Sequence, residues 1–402
     1  MLAFVVYKIE KNKGSEDGTG YETAKRLFEK YQENLVIFTR LNNVSKLKRD
    51  PDFLGCNIEG IEIPYLFRFY KKKNRGIILY YYLWQFFVSK AVNRYFSDKK
   101  KYLTVWNFNF HADWAPHFFR KNRVIKKIVW GPVGHHPLMP GYFSSSFVNI
   151  LGDRIKYFFK TMFWVFDPNL KKAIKSSDII FYWNNDIAPP FLAKKSKIYT
   201  IPLANSSLSK VEFPRFEKSK RFTVLFVGRP IDLKGIKLFF QAINDAFVAK
   251  DQFKVKLVGS NKFHKYSRRF CSAELMSKIE IVEWVPQPNL ETIYVQSDCF
   301  LYPSLESQGL VVAEALSLGL QTITVAKSGP SFVSRGHSLD VEFSVDHQVM
   351  VKRMSDQLRV CYREWLLMDR VEYSEEREKL VREFRSAANW DKTVDDLVKV
   401  II

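Results

Sequence analysis

Cysteine is scarce in this chain of 402 residues, and the four cysteines lie far apart in the sequence. Cys56, Cys271, Cys299 and Cys361 form no C-x-x-C pair. This excludes a disulfide scaffold and a cysteine zinc site and is typical of a reducing cytosol. Glycine and proline number 17 and 16, too few for collagen-like or low-complexity architecture. Because 47% of the residues are hydrophobic, a wholly disordered chain is excluded, and the length suggests two domains.

Long hydrophobic runs are also missing. The two most aromatic stretches, 76–88 and 154–166, are shorter than the ~18–20 apolar residues that span a bilayer. Lys8 and Glu10 interrupt the short apolar start, so we expect no signal peptide. The sequence contains no P-loop, no G-x-G-x-x-G and no G-x-S-x-G motif, which removes the common nucleotide-triphosphate, dinucleotide and hydrolase signatures.

Acidic charge is scarce in the first half of the chain. The whole chain carries a formal charge of +21, of which residues 1–200 contribute +18 and residues 201–402 only +3. Basic residues there are interleaved with aromatic ones, at 65–75 and around 154–175. We interpret this pattern as a surface of the protein that contacts an anionic membrane from the cytosolic side. A buried helix with ordinary solvated lysines is the alternative, and nucleic acid is disfavoured because no recognised binding motif accompanies the charge.

Short apolar runs alternate with loops and helical patterns, which predicts a parallel α/β architecture in both halves. In the first half a glycine-rich loop at 14–20 separates a strand from a helical pattern at 21–31, and a polar linker is expected near 200–220. The predicted strands are 2–7, 35–39, 103–106, 128–130, 179–183, 222–227, 253–258, 279–282, 299–302 and 321–325.

The densest chemical signal begins after the strand at 222–227. Gly228 allows a turn and a close backbone approach, and Arg229 and Lys234 follow it before a helix. Two cations beside a helix N-terminus form an anion site suited to a diphosphate. Taken alone this signal is weak, and surface charges on a βα loop are the favoured interpretation of Arg229 and Lys234.

A second element lies about 70 residues further on. Glu306 and Glu314 flank a loop-to-helix junction at Gly309 and Leu310. Carboxylates accept hydrogen bonds from vicinal hydroxyls such as those of a sugar or ribose, and the amides at the start of the helix can meet phosphate oxygens.

Together these elements resemble a known family. The order G-R-x4-K-G, then P-S-x-E-x7-E, then Ser328-Gly329-Pro330 is similar to that of retaining glycosyltransferases of the GT-B fold, family 4. The runs 257–259 and 282–285 support it. The resemblance implies two doubly wound Rossmann-like domains facing a cleft. It gives an acceptor-binding, membrane-facing domain at 1–205, a donor-binding domain at 206–386, and a C-terminal helix at 387–402 that crosses back to the first domain.

The first domain is similar to a bacterial polysaccharide-assembly subset of that family, through the loop at 14–20 and the W-G-P-V-G run at 130–134. Two histidines stand where that subset has glycines. The resemblance implies a donor contact by Gly18, a histidine reaching the donor sugar, for which His111 is the candidate, and acceptor or sugar contacts by Glu16, Asp113, His135 and His136.

The resemblance implies a metal-independent, hexosyltransferase-type enzyme that retains anomeric configuration. Arg229 and Lys234 would stabilise the departing diphosphate, with Glu314 on the ribose and Glu306 on the donor sugar. The expected partners are a UDP- or GDP-sugar, a polyprenyl-diphosphate-linked glycan and the inner membrane face, in capsule, O-antigen or exopolysaccharide synthesis. No cofactor, metal or nucleic acid is expected.

Two alternatives stay open at this point. One is a nucleotide-sugar 2-epimerase of the same fold, and the other is a non-catalytic binder of anionic lipid or nucleic acid. The one D-x-D candidate, Asp50-Pro-Asp52, lacks a preceding apolar strand, so we interpret it as a turn rather than a cation site.

Overall fold

The computed structural model describes residues 1–11, 15–67, 76–98, 102–108, 113–182, 198–200, 214–248 and 251–401. These residues fold into two compact units. Unit 1 comprises Met1–His135, Lys156–Ile201 and Asp391–Ile402, and unit 2 comprises His136–Ile155 and Pro202–Trp390. The candidate His111 and most of the predicted linker lie outside the described residues.

Unit 1 is built on a seven-stranded parallel sheet in the order β3-β2-β1-β4-β5-β6-β7. Its strands are β1 (Leu2–Val5), β2 (Leu35–Arg40), β3 (Asn57–Ile61), β4 (Leu103–Asn107), β5 (Ile125–Val133), β6 (Ile179–Tyr182) and β7 (Ile198–Thr200). The helices up to β7 are α1 (Ser15–Tyr31), α2 (Leu41–Lys48), α3 (Ile77–Phe96), α4 (Phe147–Phe166) and α5 (Pro168–Ser176). The part of α4 up to Ile155 is counted with unit 2, and the part from Lys156 onwards with unit 1. Strands β1 and β2 are buried almost throughout, as expected where helices cover both faces of a parallel sheet.

Unit 2 is built on a six-stranded parallel sheet in the order β10-β9-β8-β11-β12-β13. Its strands are β8 (Phe222–Val227), β9 (Phe253–Val258), β10 (Ile279–Val282), β11 (Cys299–Tyr302), β12 (Gln321–Val325) and β13 (Leu339–Val341). The remaining helices are α6 (Ile236–Ala246), α7 (Phe263–Phe270), α8 (Ala273–Met276), α9 (Gln287–Val295), α10 (Leu310–Ser317), α11 (Gly329–Val333), α12 (His347–Leu367), α13 (Arg370–Ala387) and α14 (Trp390–Ile401).

The strand order of both sheets is the doubly wound order, in which ligands bind beyond the carboxyl ends of the central strands. In unit 2 those ends belong to β8 and β11, which lie side by side in the sheet. This confirms the α/β fold with two Rossmann-like halves that the sequence predicts.

The glycine-rich segment after β1 differs from its prediction. Helix α1 already begins at Ser15, so Glu16 and Gly18 lie in its first turn rather than in a loop. The acidic residues Glu16 and Asp17 stand in that turn, where negative charge is favoured by the helix dipole. The two glycines lower helix propensity without preventing the helix.

The C-terminal helix α14 packs within unit 1. The Arg26 Nε atom lies 2.5 Å from Asp391 Oδ1, and Lys30 pairs with Asp395. Val394 and Leu397 are buried. The sequence-based boundaries place 136–155 in the first domain, whereas this segment packs with unit 2, because Phe143 joins the unit 2 core.

No helix among the described residues combines the length and apolar character needed to cross a membrane.

Candidate active site

The turn between β8 and α6 brings a lysine back onto the strand end. Gly228 has φ +134°, a conformation that L side chains rarely adopt. A Cβ atom at this position would come within 3.2 Å of Lys234 Nζ. Asp232–Lys234 form one turn of 3-10 helix before α6. The glycine therefore leaves the space that the lysine side chain occupies.

The segment that follows β11 is hydrogen-bonded directly to this turn. The Leu305 amide donates to the Leu233 carbonyl at 3.1 Å, and the Ser304 hydroxyl donates to the same carbonyl at 3.2 Å. Because the two segments share these bonds, residues about 70 positions apart in sequence form one structure at the carboxyl ends of β8 and β11.

Lys234, Tyr302 and Glu306 form a compact cluster where the two segments meet. The Lys234 ammonium donates to the Tyr302 hydroxyl and lies 3.4 Å from Glu306 Oε2, and the Tyr302 hydroxyl donates to Glu306 Oε1 at 2.6 Å. The side chains of Lys234 and Glu306 are only 13% and 18% exposed. Burial and the Glu306 carboxylate raise the pKa of Tyr302 well above its usual value, so its hydroxyl keeps its proton. The cluster holds a positive charge in a fixed place with little exposure to water.

Glu314 lies one turn inside α10 and is buried. The Tyr294 hydroxyl of α9 donates to Glu314 Oε2 at 3.1 Å. Burial, together with the nearby Glu314 carboxylate, raises the pKa of Tyr294 well above its usual value. A buried carboxylate is costly unless it is hydrogen-bonded, and this bond also fixes where the carboxylate points.

Helices α9 and α10 are held together at their C-terminal ends by one buried guanidinium. Arg377 of α13 donates to the carbonyls of Gly319 and Ser297, both at 2.8 Å, and to that of Val295 at 3.1 Å. Helix ends leave carbonyls without partners inside the helix, and arginine can satisfy several of them at once.

The start of α10 is packed tightly against α11. Gly309 has φ +136°, and a Cβ atom there would lie 2.8 Å from Cα of Pro330. The Gly329 amide donates to the Glu306 carbonyl at 3.0 Å. These contacts give the Ser328-Gly329-Pro330 run a structural role, since it fixes the loop that carries Glu306 into Leu310 at the first position of α10.

Arg229 differs from Lys234 in its surroundings. Its side chain is exposed and makes no ion pair within the described part of the chain. The structure therefore brings Lys234, Glu306 and Glu314 into defined contacts and leaves Arg229 at the surface, next in sequence to Gly228.

A second cluster of titratable groups lies in unit 1. Asp113, which is 1% exposed, has its Oδ2 atom 2.7 Å from His135 Nδ1 and its Oδ1 atom 3.1 Å from Lys160 Nζ. The Lys160 ammonium also lies 4.9 Å from the centre of the Trp164 ring. The candidates Asp113 and His135 are thus in contact with each other, and each is buried.

The other first-half candidates are placed separately. Glu16 forms an ion pair with Lys8 at 2.7 Å. Gly18 lies within α1. His136 is exposed and belongs to unit 2. The described contacts do not bring these three residues into the Asp113 cluster.

No group of three or more histidine, cysteine or acidic side chains suited to a metal ion occurs among the residues that the structure describes. Asp50 and Asp52 of the D-x-D candidate both accept from the Tyr21 hydroxyl at 2.7 Å. Asp52 also pairs with Lys25 at 2.9 Å. Desolvation raises the pKa of Asp52, but the hydrogen bonds from Lys25, Tyr21 and Lys11 together outweigh it, so the pKa lies below its usual value.

Sequence reasoning missed three contributors to these sites. Tyr302 and Tyr294 end or follow apolar runs and look like ordinary core residues, and Lys160 looks like one solvated lysine among many. Only Tyr302 carried a signal in the sequence, because it directly precedes the P-S-x-E run that contains Glu306.

Part of unit 2 matches a known protein family. Residues 221–359 match the family model described as glycosyl transferases group 1. Spore coat protein SA of Bacillus subtilis (strain 168) is 25% identical over 191 residues, which cover 44% of this chain. The chain therefore spans about half, 48%, of the length of that curated relative.

Solved structures share the fold over the full chain. An α,α-trehalose 6-phosphate synthase from Burkholderia multivorans aligns with a TM-score of 0.64 and 14% identity, covering 100% of this chain and 96% of that one. WaaG, a glycosyltransferase involved in lipopolysaccharide biosynthesis, aligns with a TM-score of 0.60 and 11% identity, covering 100% and 99%. The GT-B fold that the resemblance implies is confirmed, and the match to the group 1 glycosyl transferase model lies within unit 2.

Proposed function

We propose that the chain is a retaining glycosyltransferase that moves a sugar from a nucleotide-diphosphate donor to a lipid-linked glycan at the cytosolic membrane face. The observation that carries the proposal is the Lys234–Tyr302–Glu306 cluster, with Glu314 following in α10. It stands at the carboxyl ends of β8 and β11, where doubly wound sheets bind their ligands.

The chemistry follows from where charge develops. When the sugar–phosphate bond breaks, negative charge grows on the diphosphate, and a fixed cation there stabilises the transition state. Lys234 is held in place by Tyr302 and Glu306, and the exposed Arg229 can reach a ligand without first breaking an ion pair. We assign these two residues the role that a metal ion has in other sugar transferases, so no cofactor is required.

The two carboxylates accept hydrogen bonds from hydroxyl groups of the donor. Glu314, oriented by Tyr294, accepts from the ribose, and Glu306 accepts from the donor sugar. The proton of the acceptor hydroxyl passes to the leaving phosphate while attack occurs on the same face of the sugar, so the configuration is retained. In unit 1 the buried Asp113–His135 pair is proposed to position the acceptor or the donor sugar.

Two observations support the proposed location at the membrane and the proposed role in polysaccharide synthesis: the charge of the first half and a protein of similar fold. The +18 charge of residues 1–200 complements an anionic leaflet and a polyprenyl-diphosphate glycan. WaaG is involved in lipopolysaccharide biosynthesis, which supports a role in capsule, O-antigen or exopolysaccharide synthesis.

A thermal-shift titration with UDP, GDP, ADP and dTDP, with and without EDTA, tests donor binding. Ligand at 100 times its Kd stabilises by about 2.7 kcal/mol. We expect one nucleotide to shift the melting temperature, EDTA to leave that shift unchanged, and Glu314→Gln to lose it. Glu375→Gln, an exposed position on α13, is the control and should retain it. No shift with any nucleotide would contradict the assignment.

Lys234→Met tests the chemical step. Release of nucleoside diphosphate in the presence of bacterial membranes should fall roughly 100-fold, about 3 kcal/mol of transition-state stabilisation. Near-normal turnover would remove Lys234 from the mechanism. Conversion of the donor to an isomeric nucleotide sugar without membranes would instead identify a 2-epimerase.

A further inference from the structure

Helix α4 exposes an apolar stripe along its whole length. None of its twenty residues is buried. Apolar side chains recur every three or four positions, the spacing that places them on one face of a helix. Those that are at least one-third exposed along the stripe are Val148, Leu151, Ile155, Phe158, Phe159, Met162 and Phe166.

The opposite side of α4 is the side that contacts the protein. Lys160 pairs with the buried Asp113. The Trp164 ring lies 5.2 Å from the ring of His135 and packs against the core cluster of Trp130 and Leu170. These contacts fix the rotation of the helix, so the stripe cannot turn inwards.

Basic side chains border the stripe. Exposed Arg154 and Lys156 lie on α4 itself, one on either side of the stripe at helical spacing. Exposed Lys171, Lys172 and Lys175 follow on α5. Asp153 is the single acidic residue of α4. Aromatic residues between cations are the pattern of helices that lie at the surface of an anionic bilayer.

We infer that α4 is the membrane-docking element of this chain and that it lies along an anionic lipid surface, with Phe158, Phe159 and Phe166 entering the acyl boundary. At 1.5 Å per residue the stripe is about 30 Å long, and the contacts of Lys160 and Trp164 keep it facing away from the protein. The inference concerns lipid binding and holds whether or not the sugar transfer proposed above is correct.

Flotation of the full chain with phosphatidylcholine vesicles, with and without phosphatidylglycerol, tests this. We expect binding that requires phosphatidylglycerol and weakens with salt. Phe158→Ser combined with Phe159→Ser should lower vesicle affinity roughly 100-fold, because two exposed rings no longer enter lipid. Arg154→Gln combined with Lys156→Gln should lower it roughly 25-fold, at about fivefold for each cation.

Val345→Ser combined with Leu367→Ser is the matched control, since these side chains are 82% and 85% exposed but lie outside α4. This variant should bind vesicles like the unchanged chain. The nucleotide-dependent thermal shift should be the same in all variants, which separates a failure of lipid docking from a failure of donor binding and reports that each variant is folded.

Three results would overturn the inference. The first is absence of vesicle binding by the unchanged chain, and the second is full binding by the double phenylalanine variant. The third is a dimer in lipid-free solution, seen by sedimentation velocity, that the phenylalanine variant dissociates while vesicles have no effect; a second copy of the chain would then cover α4.

Discussion

Helices α3 and α4 are each twenty residues long and rich in aromatic side chains, yet their surroundings are opposite. In α3, Tyr80, Trp84, Val88, Val92 and Phe96 are all buried, whereas α4 buries no residue. The comparison shows that aromatic composition alone does not decide whether a helix is buried. What decides it is whether neighbouring elements already cover the sheet at that place.

The reason lies in the connections between strands. Helix α3 is the long helix of the crossover between β3 and β4, and its inner face packs into the core of the unit 1 sheet. Between β5 and β6 the chain has two helices, and Leu170 of α5 packs with the β5 and β6 side chains Trp130 and Ile180. Because α5 fills that position, α4 is left outside it.

The largest expected difference is at the centre of α3. Trp84 is fully buried, its Nε1 atom donates to the Ile61 carbonyl at 3.0 Å, and its ring lies 5.1 Å from that of Tyr7. Trp84→Ala should lower the free energy of unfolding by about 4 kcal/mol, measured by urea denaturation. Phe86→Ala, at a position 37% exposed on the same helix, should cost much less. Equal losses would show that α3 is not held by its inner face.

The next effect concerns the inner side of α4. Lys160→Met keeps the alkyl chain beside Trp164 and removes the charge that pairs with Asp113. A buried carboxylate that loses a partner is destabilising, and we expect about 2 kcal/mol because His135 still contacts it. Lys156→Met, exposed on the same helix, serves as control. A loss as small as that of the control would contradict the fixed orientation of α4.

A smaller effect is expected where α3 meets the residues that follow α4. The Tyr82 hydroxyl donates to Asp167 Oδ2 at 3.2 Å and accepts from Asn169 Nδ2 at 2.8 Å. Tyr82→Phe should cost about 1 kcal/mol in urea denaturation. Tyr102→Phe, at a side chain 76% exposed, should leave the free energy of unfolding almost unchanged. A similar loss of stability in both variants would show that the Tyr82 hydrogen bonds do not stabilise the fold.

The smallest stability effect is expected on the outer face of α4. Phe158→Ser combined with Phe159→Ser should change the free energy of unfolding by no more than about 0.5 kcal/mol, since both rings are more than half exposed. The same variant should lose vesicle binding. A stability loss near that of Trp84→Ala would mean that the stripe is covered within the folded chain.

The sequence predicted the fold well because parallel strands buried on both faces are continuous apolar runs. The runs at 222–227, 253–258, 279–282, 299–302 and 321–325 are the strands β8 to β12. Strands β3, β7 and β13 were missed, because short strands at or near the sheet edge carry few apolar residues.

The placement of the candidate donor-site residues was predictable in part. Lys234, Glu306 and Glu314 stand in motifs with fixed spacing, and the structure places them at the ends of β8 and β11 and in α10. Their roles stay predictions until they are tested. The burial of 76–88 was offered only as an alternative to membrane contact, since α3 and α4 have similar composition and only tertiary packing distinguishes them. For 76–88 the packing supports the core alternative.

Arg377 has a consequence for where a working fragment of this chain can end. The region matched by the glycosyl transferase family ends at residue 359, eighteen positions before the guanidinium that joins the ends of α9 and α10. A fragment cut there would keep Tyr294 and Glu314 but lose the residue that sets the spacing between their helices. A fragment that keeps this spacing must therefore extend through α13.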